Sequence, residues 1–568
     1  MAASFIETFN LERFQDALEG ARTELRKSEV IERIWQKDHT VWKSGDAEIS
    51  NRLGWLESPR IMVEAASSIK RFVEDVRKDG YTHALLLGMG GSSLAPELFS
   101  EVFGAAKGYL QLHVLDSTDP ETILEVSRAL PIETTLFIVS SKSGTTLETS
   151  SFLNYFYALV SESLGKERAG VHFAAITDPG TPLEKIGRAL GFRKVIPGLP
   201  DIGGRYSVIS PFGLVPAALL GLDMSRLLEP ALQATRLCRE SDPGRNPGAS
   251  LGVLLGVLGS AGNDKATFLI SPRLESLGGW IEQLLAESTG KEGRGILPIV
   301  NEHEFLPEKL APDRTYLAVQ LADDRTYEPV INLLKQSGRP LVLMTLNDLY
   351  DLGGQFFIWE IAVAVAGRIL KINPFDQPDV AASKKKTEVL LNIYKDSGCL
   401  PQDVPSFEDP DIRFYADAPA QNLAAGLDRF LGEARPGDYI AVQAFLPVKP
   451  DIEAALQKIT ARLRSKTRLA VTYGFGPRYL HSTGQLHKGG GGNGLFIQLT
   501  AEGQVDVPIP ESPGGPSSSY SFAILKQAQA RGDWEALREK DRRIVRVSIK
   551  SDLIQGLKKI APSPATLF

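Results

Sequence analysis

Cysteine is almost missing from this sequence: Cys238 and Cys399 are the only two in 568 residues. Two thiols make neither a disulfide framework nor a cysteine zinc site, so a reduced, cytoplasmic setting is the default expectation. A surplus of either charge is missing as well. With 63 Lys+Arg against 69 Asp+Glu the formal net charge is −6, which leaves no overall basic footprint for nucleic acid. No apolar run is read as reaching the roughly 18–20 residues of a membrane span. The stretch MAASFIETFNLERF lacks the basic and apolar regions of a signal peptide. Ser93 stands where a dinucleotide fingerprint needs its third glycine, which argues against a Rossmann cofactor site.

What is there is the composition of a globular protein, with 43% hydrophobic and 23% charged residues. At roughly 100–200 residues per domain the length corresponds to about three or four domains. The most informative stretch is Ser140-Ser141-Lys142-Ser143-Gly144-Thr145-Thr146-Leu147-Glu148-Thr149. An apolar run, 136–139, enters it and a helical pattern, 147–159, leaves it. The first N–H groups of a helix are unpaired and its dipole is positive there, which suits an anion. Hydroxyl donors outnumber glycines, so a phosphate monoester fits better than a pyrophosphate; a plainly capped helix is the competing reading. A second strand–turn–helix runs through 84–87, Gly88-Met89-Gly90-Gly91-Ser92-Ser93 and 97–103. Both turns fall at carboxyl ends of strands, where open α/β sheets bind ligands.

The alternation of short apolar runs with helical segments predicts parallel sheets flanked by helices, hence an α/β fold. Residues 1–80 read as helical. One block of this kind spans 1–225 and a second 226–400, with strands at 267–270, 316–319 and 341–344 and helices at 277–286 and 356–370. Residues 401–419, rich in Pro and Asp, read as a linker. Beyond it a C-terminal α+β domain completes 401–568.

Several residue types could carry chemistry. Arg205 follows Gly203-Gly204, where a guanidinium can hold a phosphate or a developing oxyanion, unless this is only a surface turn. Glu287 ends an amphipathic helix, where the dipole should raise its proton affinity toward that of a general base; an exposed helix-end glutamate is the alternative. Lys384-Lys385-Lys386 follows Asn373-Pro374-Phe375-Asp376-Gln377-Pro378, and most such basic runs are solvated surface. His481 and His487 lie in a loop running into Gly489–Gly492 and suggest acid–base work or phosphate contact rather than metal binding. Nothing around His303 singles it out.

Taken together, GMGGSSLAP, SSKSGTTLETS, GGRYS, AESTGKEGRGILP and NPFDQPDVAASK, in this order across 85–385, resemble the phosphoglucose isomerase family. WQKDHTVWK, ISNRLGWLESP and RYLHSTGQLHKGG resemble the isomerase half of bacterial bifunctional transaldolase/phosphoglucose isomerases, with the transaldolase half and its Schiff-base lysine expected to be absent. The resemblance implies two sugar-isomerase-type domains and a cofactor-free interconversion of glucose 6-phosphate and fructose 6-phosphate, in glycolysis and gluconeogenesis. It also implies a homodimer with a small sugar phosphate as its partner, and neither metal, nucleic acid nor membrane.

By position, Ser141, Lys142, Ser143 and Thr146 match the family's phosphate clamp, with Ser92 and Glu148 as further substrate contacts. Glu287 matches the base that shuttles a proton between C2 and C1, and Arg205 the group that stabilises the enediolate. Lys384, seven residues after Gln377 of the substrate pocket, matches the lysine that helps to open the ring. One departure stands out. Where many members carry a ring-opening histidine in a Gly-Gln-His stretch, Gly354-Gln355 is followed here by Phe356, so His487 or His481 is expected to take that role. Two alternatives remain: a dual phosphoglucose/phosphomannose isomerase, with Thr289 as the added hydroxyl, and a sugar-phosphate sensor without chemistry.

Overall fold

Apolar runs closed by glycine turns become strands covered on both faces, as parallel sheets require. The computed structural model describes residues 5–300, 302, 309–503, 505–550 and 552–560. Its first strand, β1 (Phe5–Phe9), belongs to the second sheet described below. The first sheet holds β2 (His83–Gly88), β3 (Gln111–Leu115), β4 (Thr135–Ser140), β5 (Phe173–Thr177) and β6 (Lys194–Pro197). Its order is β3-β2-β4-β5-β6 and every pairing is parallel. The order reverses between β2 and β4, so a crevice opens at their carboxyl ends. Both glycine/hydroxyl turns flank that crevice.

The second sheet repeats this winding. β7 (Lys265–Ile270), β8 (Leu297–Ile299), β9 (Arg314–Leu321) and β10 (Leu341–Leu346) form the parallel order β8-β7-β9-β10. β1 fills the fifth place, antiparallel to β10 with Phe5 opposite Thr345 and Phe9 opposite Leu341. The purely helical reading of residues 1–80 is thus corrected, and the chain crosses the boundary expected near 225. β1 was hidden because an edge strand of five residues carries little periodicity.

The third sheet winds the same way. β11 (Phe407–Glu408) and β12 (Ile412–Tyr415) lie inside the stretch read as a linker. They are followed by β13 (Tyr439–Phe445), β14 (Ala470–Phe475) and β15 (Gly494–Ala501), by a small pair, β16 (Pro508–Ile509) with β17 (Tyr520–Ser521), and by β18 (Arg543–Ile549). The parallel order β14-β13-β15-β18 carries β12 and β11 as an antiparallel edge. The α+β character expected for the C-terminal domain is confined to that edge, because the helices between β13, β14, β15 and β18 impose parallel crossovers.

The C-terminal domain shares cores with its neighbours. Phe522, Leu525 and Ala528 pack with Phe152, Phe156 and Tyr157, while Tyr439, Leu486 and Trp534 pack with Ala286 and Leu297. The segment Leu349–Leu370 is long and apolar enough to cross a membrane, contrary to the expectation that no such run exists, but 89% of its apolar window is buried inside the protein.

Candidate active site

At the carboxyl end of β4 the hydroxyl loop curls onto the helix Leu147–Leu164. Ser141 Oγ lies 3.1 Å from Thr146 Oγ1 and accepts from Gly144 N at 3.1 Å. Ser143 Oγ accepts from Thr145 N and Thr145 Oγ1. Thr146 caps the helix without a side-chain bond, so the first-turn N–H groups are not taken up by it. Ser143, Thr145 and Thr146 open into a cavity of about 210 Å³. Lys142 does not. Its ammonium pairs with Asp178 and donates to the Leu199 carbonyl at 3.0 Å, which corrects its expected place in the phosphate clamp.

The turn after β2 packs against the turn that bears Arg205 and against Gln283. Gly91 has no room for a Cβ, which would stand 2.0 Å from the Gly204 carbonyl oxygen. This contact presses the Ser92 turn against the Gly204–Arg205 turn. Gly90, at φ +52°, lies against Gln283 and His481. Ser92 is buried, and its carbonyl accepts from Ser140 Oγ at 3.2 Å.

Glu287 sits in the last turn of the helix Leu277–Thr289 and is 8% exposed. Gln283, one turn earlier on the same face, donates to Glu287 Oε2 at 3.1 Å and to the His481 carbonyl at 2.9 Å. Arg205 Nη1 stands 3.6 Å from Glu287 Oε2. The guanidinium is buried and tightly held: Nε donates to Ser288 Oγ at 2.6 Å and Nη1 to Gln377 Oε1 at 2.8 Å. Nη2 donates to the Pro374 and Asp376 carbonyls at 2.7 and 2.9 Å. Four of its five N–H groups are thereby used, and the fifth, on Nη1, is left on the side of Glu287.

The third wall comes from the C-terminal domain. His481, Lys488 and Gln529 line the same cavity as Lys384, Ser383 and Thr387 of the helix Val380–Ser397. His481 Nε2 lies 3.1 Å from Glu148 Oε1, which also accepts from Gln529 Nε2 at 2.7 Å. Burial works against the charge of Glu148, but the His481 ring, with its hydrogen bond, and Lys384 outweigh it and hold the carboxyl below its ordinary range. His487 is elsewhere. It is 4% exposed and caged by Tyr439, Tyr479 and Phe496, and burial depresses its imidazole far below its ordinary value. The expectation that His487 opens the ring is corrected by this cage. Phe356 fills core, edge-on to Trp280 at 4.9 Å, and His303 lies outside the described residues.

Gln283, Lys488, Gln529 and Lys291 were not singled out from the sequence. Gln283, four residues before Glu287, was recoverable from helical spacing. Lys291 and Lys488 stand inside AESTGKEGRGILP and RYLHSTGQLHKGG, near Glu287 and His487, and only Gln529 arrives from a distant segment without a local signal.

A model of the phosphoglucose isomerase family matches residues 55–295, which include Ser92, the hydroxyl loop, Glu148, Arg205 and Glu287. The glucose-6-phosphate isomerase of Synechococcus sp. (strain JA-3-3Ab) is 28% identical over 362 residues, 56% of this chain and 67% of that protein. That of Rubrobacter xylanophilus is 28% identical over 385 residues, 59% of this chain and 88% of its own. Among solved structures, a hypothetical protein from Thermus thermophilus aligns with TM-score 0.57 and 25% identity, covering 68% of this chain and 99% of that one. A glucose-6-phosphate isomerase from Chlamydia trachomatis shares the fold with TM-score 0.57 at 20% identity, covering 67% and 86%.

Proposed function

We infer that this chain, which belongs to the phosphoglucose isomerase family, interconverts glucose 6-phosphate and fructose 6-phosphate through a cis-enediol. The observation that carries the reading is the buried pair of Glu287 and Arg205, 3.6 Å apart, with Gln283 donating both to Glu287 and to the backbone carbonyl of His481, a residue that lines the cavity of hydroxyl donors. An aldose–ketose shift needs a carboxylate that can take a carbon-bound proton beside a cation for the oxygen that gains charge.

Ser143, Thr145, Thr146 and the first-turn N–H groups bind the phosphate. Opening the pyranose delivers a proton to the ring oxygen and removes one from the C1 hydroxyl, and His481 and Lys384 are the groups assigned to these transfers. Glu148 orients the His481 ring. Glu287 then takes the C2 proton, and the charge that develops on O1 meets the free N–H of Arg205. The carboxylic acid returns its proton to C1 while the hydroxyl hydrogen passes from O2 to O1, giving the ketose.

Thr289 lends no support to a dual specificity. Its hydroxyl donates to the Leu285 carbonyl at 2.8 Å and accepts from Ile296 N at 2.9 Å, so it is spent within the backbone. A homodimer in the cytoplasm completes the proposal, and sedimentation of the purified chain reads the first part.

The test is conversion of glucose 6-phosphate in EDTA, beside Glu287→Gln and Glu287→Gln/His481→Ala. Glu287→Gln is expected to lose isomerisation by on the order of 10²–10⁴-fold while still exchanging the α and β anomers by NMR. Adding His481→Ala should return that exchange to the uncatalysed rate. Wild-type protein that binds sugar phosphate without turnover would overturn the isomerase reading; exchange that survives His481→Ala would remove only the histidine's role.

A further inference from the structure

Three of the four acceptors that hold Arg205 belong to one turn: the Pro374 carbonyl, the Asp376 carbonyl and Gln377 Oε1. That turn is itself pinned. Lys291 donates from Nζ to Asp376 Oδ1 at 2.7 Å and to the Asp376 carbonyl, with its side chain 1% exposed. Lys291 follows Glu287 by four residues, just past the end of the helix. One ammonium therefore ties the segment bearing the base to the turn that cages the guanidinium.

We propose that Lys291 is a positioning residue, which holds the Asp376–Gln377 turn so that Arg205 aims its one free N–H at the enediolate oxygen. This rests on the isomerase reading of the site. A buried ammonium needs a compensating partner, and this one has a carboxylate and a carbonyl from the same residue. Had its role been only to neutralise Asp376, the carboxylate alone would suffice; the second bond grips the carbonyl that shares Arg205 Nη2.

The groups that face Lys291 are Asp376 from the turn, Arg205 from the segment after β6 and Glu287 from the helix. Burial, then the charge of Arg205, bring the ammonium down to about 8 against the pull of Asp376 and Glu287. Deprotonation therefore weakens the grip at mildly alkaline pH, and kcat should fall there with Lys291.

The experiment compares the wild-type enzyme with Lys291→Met, Lys291→Arg and Asp376→Asn. Lys291→Met is expected to lower kcat by about 10–100-fold, the scale of a misplaced catalytic group, with KM for fructose 6-phosphate within about twofold. A five-carbon aldonate phosphate, whose carboxylate mimics the enediolate, should bind more weakly by the same factor as the loss in kcat/KM. Lys291→Arg should restore most of kcat and carry the alkaline limb to higher pH. If Lys291→Met does not fold, the pH profile of Lys291→Arg carries the test; Asp376→Asn removes the ion pair but keeps the gripped carbonyl, and should retain most of kcat. The proposal is overturned by an alkaline limb that stays near pH 8 in Lys291→Arg, or by full kcat and analogue affinity in Lys291→Met. Failure of the isomerase reading would show separately, as absent turnover in the wild-type enzyme.

Discussion

His481 and His487 are six residues apart and end in opposite surroundings. His481 borders the cavity against Glu148, whereas the short helix Gly484–Gly489 turns His487 onto the third sheet, with Nδ1 3.3 Å from Gln443 Nε2 and Nε2 without a partner. A neutral ring caged by three aromatic side chains does packing, not proton transfer. His487→Phe should therefore leave anomer exchange and isomerisation within about twofold and change stability by under about 1 kcal/mol, since a buried ring of similar shape is kept. Activity assays and urea midpoints check this, and a large loss of exchange would return His487 to the reaction. Nothing in the loop's residue types separates the two histidines. The direction of each side chain depends on a helical turn that tertiary packing forms. Lys142 teaches the same lesson: its neighbours Ser141 and Ser143 bond within the hydroxyl loop, but Asp178, distant in sequence, captures its ammonium.

The helix Leu277–Thr289 carries two carboxylates with different surroundings. Glu287 faces Arg205, while Glu282 accepts from Ser482 Oγ at 3.1 Å, next to His481. Burial pushes the Glu282 carboxyl from 4.5 up to about 7, against the Ser482 hydrogen bond and the charge of Arg478. A folded value above the unfolded one means that the native state binds the extra proton between these limits. This contribution to stability is complete below about 4.5 and is lost as pH rises through 7. Glu282→Gln keeps an acceptor for Ser482 and cannot ionise. It should match the wild type near pH 4.5 and be more stable by about 2 kcal/mol at pH 8, allowing for partial exposure. Unfolding midpoints across that range decide, and a difference independent of pH would refute the linkage. At this scale much was legible: runs such as 84–87 and 136–139 became β2 and β4. Strand order was not, because pairing partners lie tens of residues away. Hence the antiparallel β1, the strands inside 401–419 and the common winding of three sheets emerged only from the structure.

Across the whole molecule, the C-terminal domain docks by placing cations on carboxylates of the first domain. Lys449 meets Glu121 and Glu125 at 2.7 and 3.0 Å, and Lys526 meets Asp119 at 2.7 Å. Arg478, three residues before His481, donates from both terminal nitrogens to Glu97 and stands 3.4 Å from Asp116. Bidentate geometry makes Arg478 the strongest of these contacts and the one nearest the cavity's histidine. Removing its charge strands Asp116, whose carboxyl burial already raises, together with Glu97, Glu101 and Glu282 around one space. Arg478→Met should therefore cost about 2–3 kcal/mol at pH 8, between the values for exposed and buried pairs. The loss should shrink on acidification, because the stranded carboxylates then take up protons in the folded state. Adding Glu97→Gln should recover part of it, so that the two substitutions are not additive. Anomer exchange should fall with Arg478→Met, since the turn bearing His481 loses its hold on the first domain. Additive losses that do not change with pH would mean that shared apolar cores, not these charges, seat the domain. Unfolding of the four proteins of this cycle at pH 6 and pH 8 separates the two, and the exchange rate shows whether docking and chemistry move together.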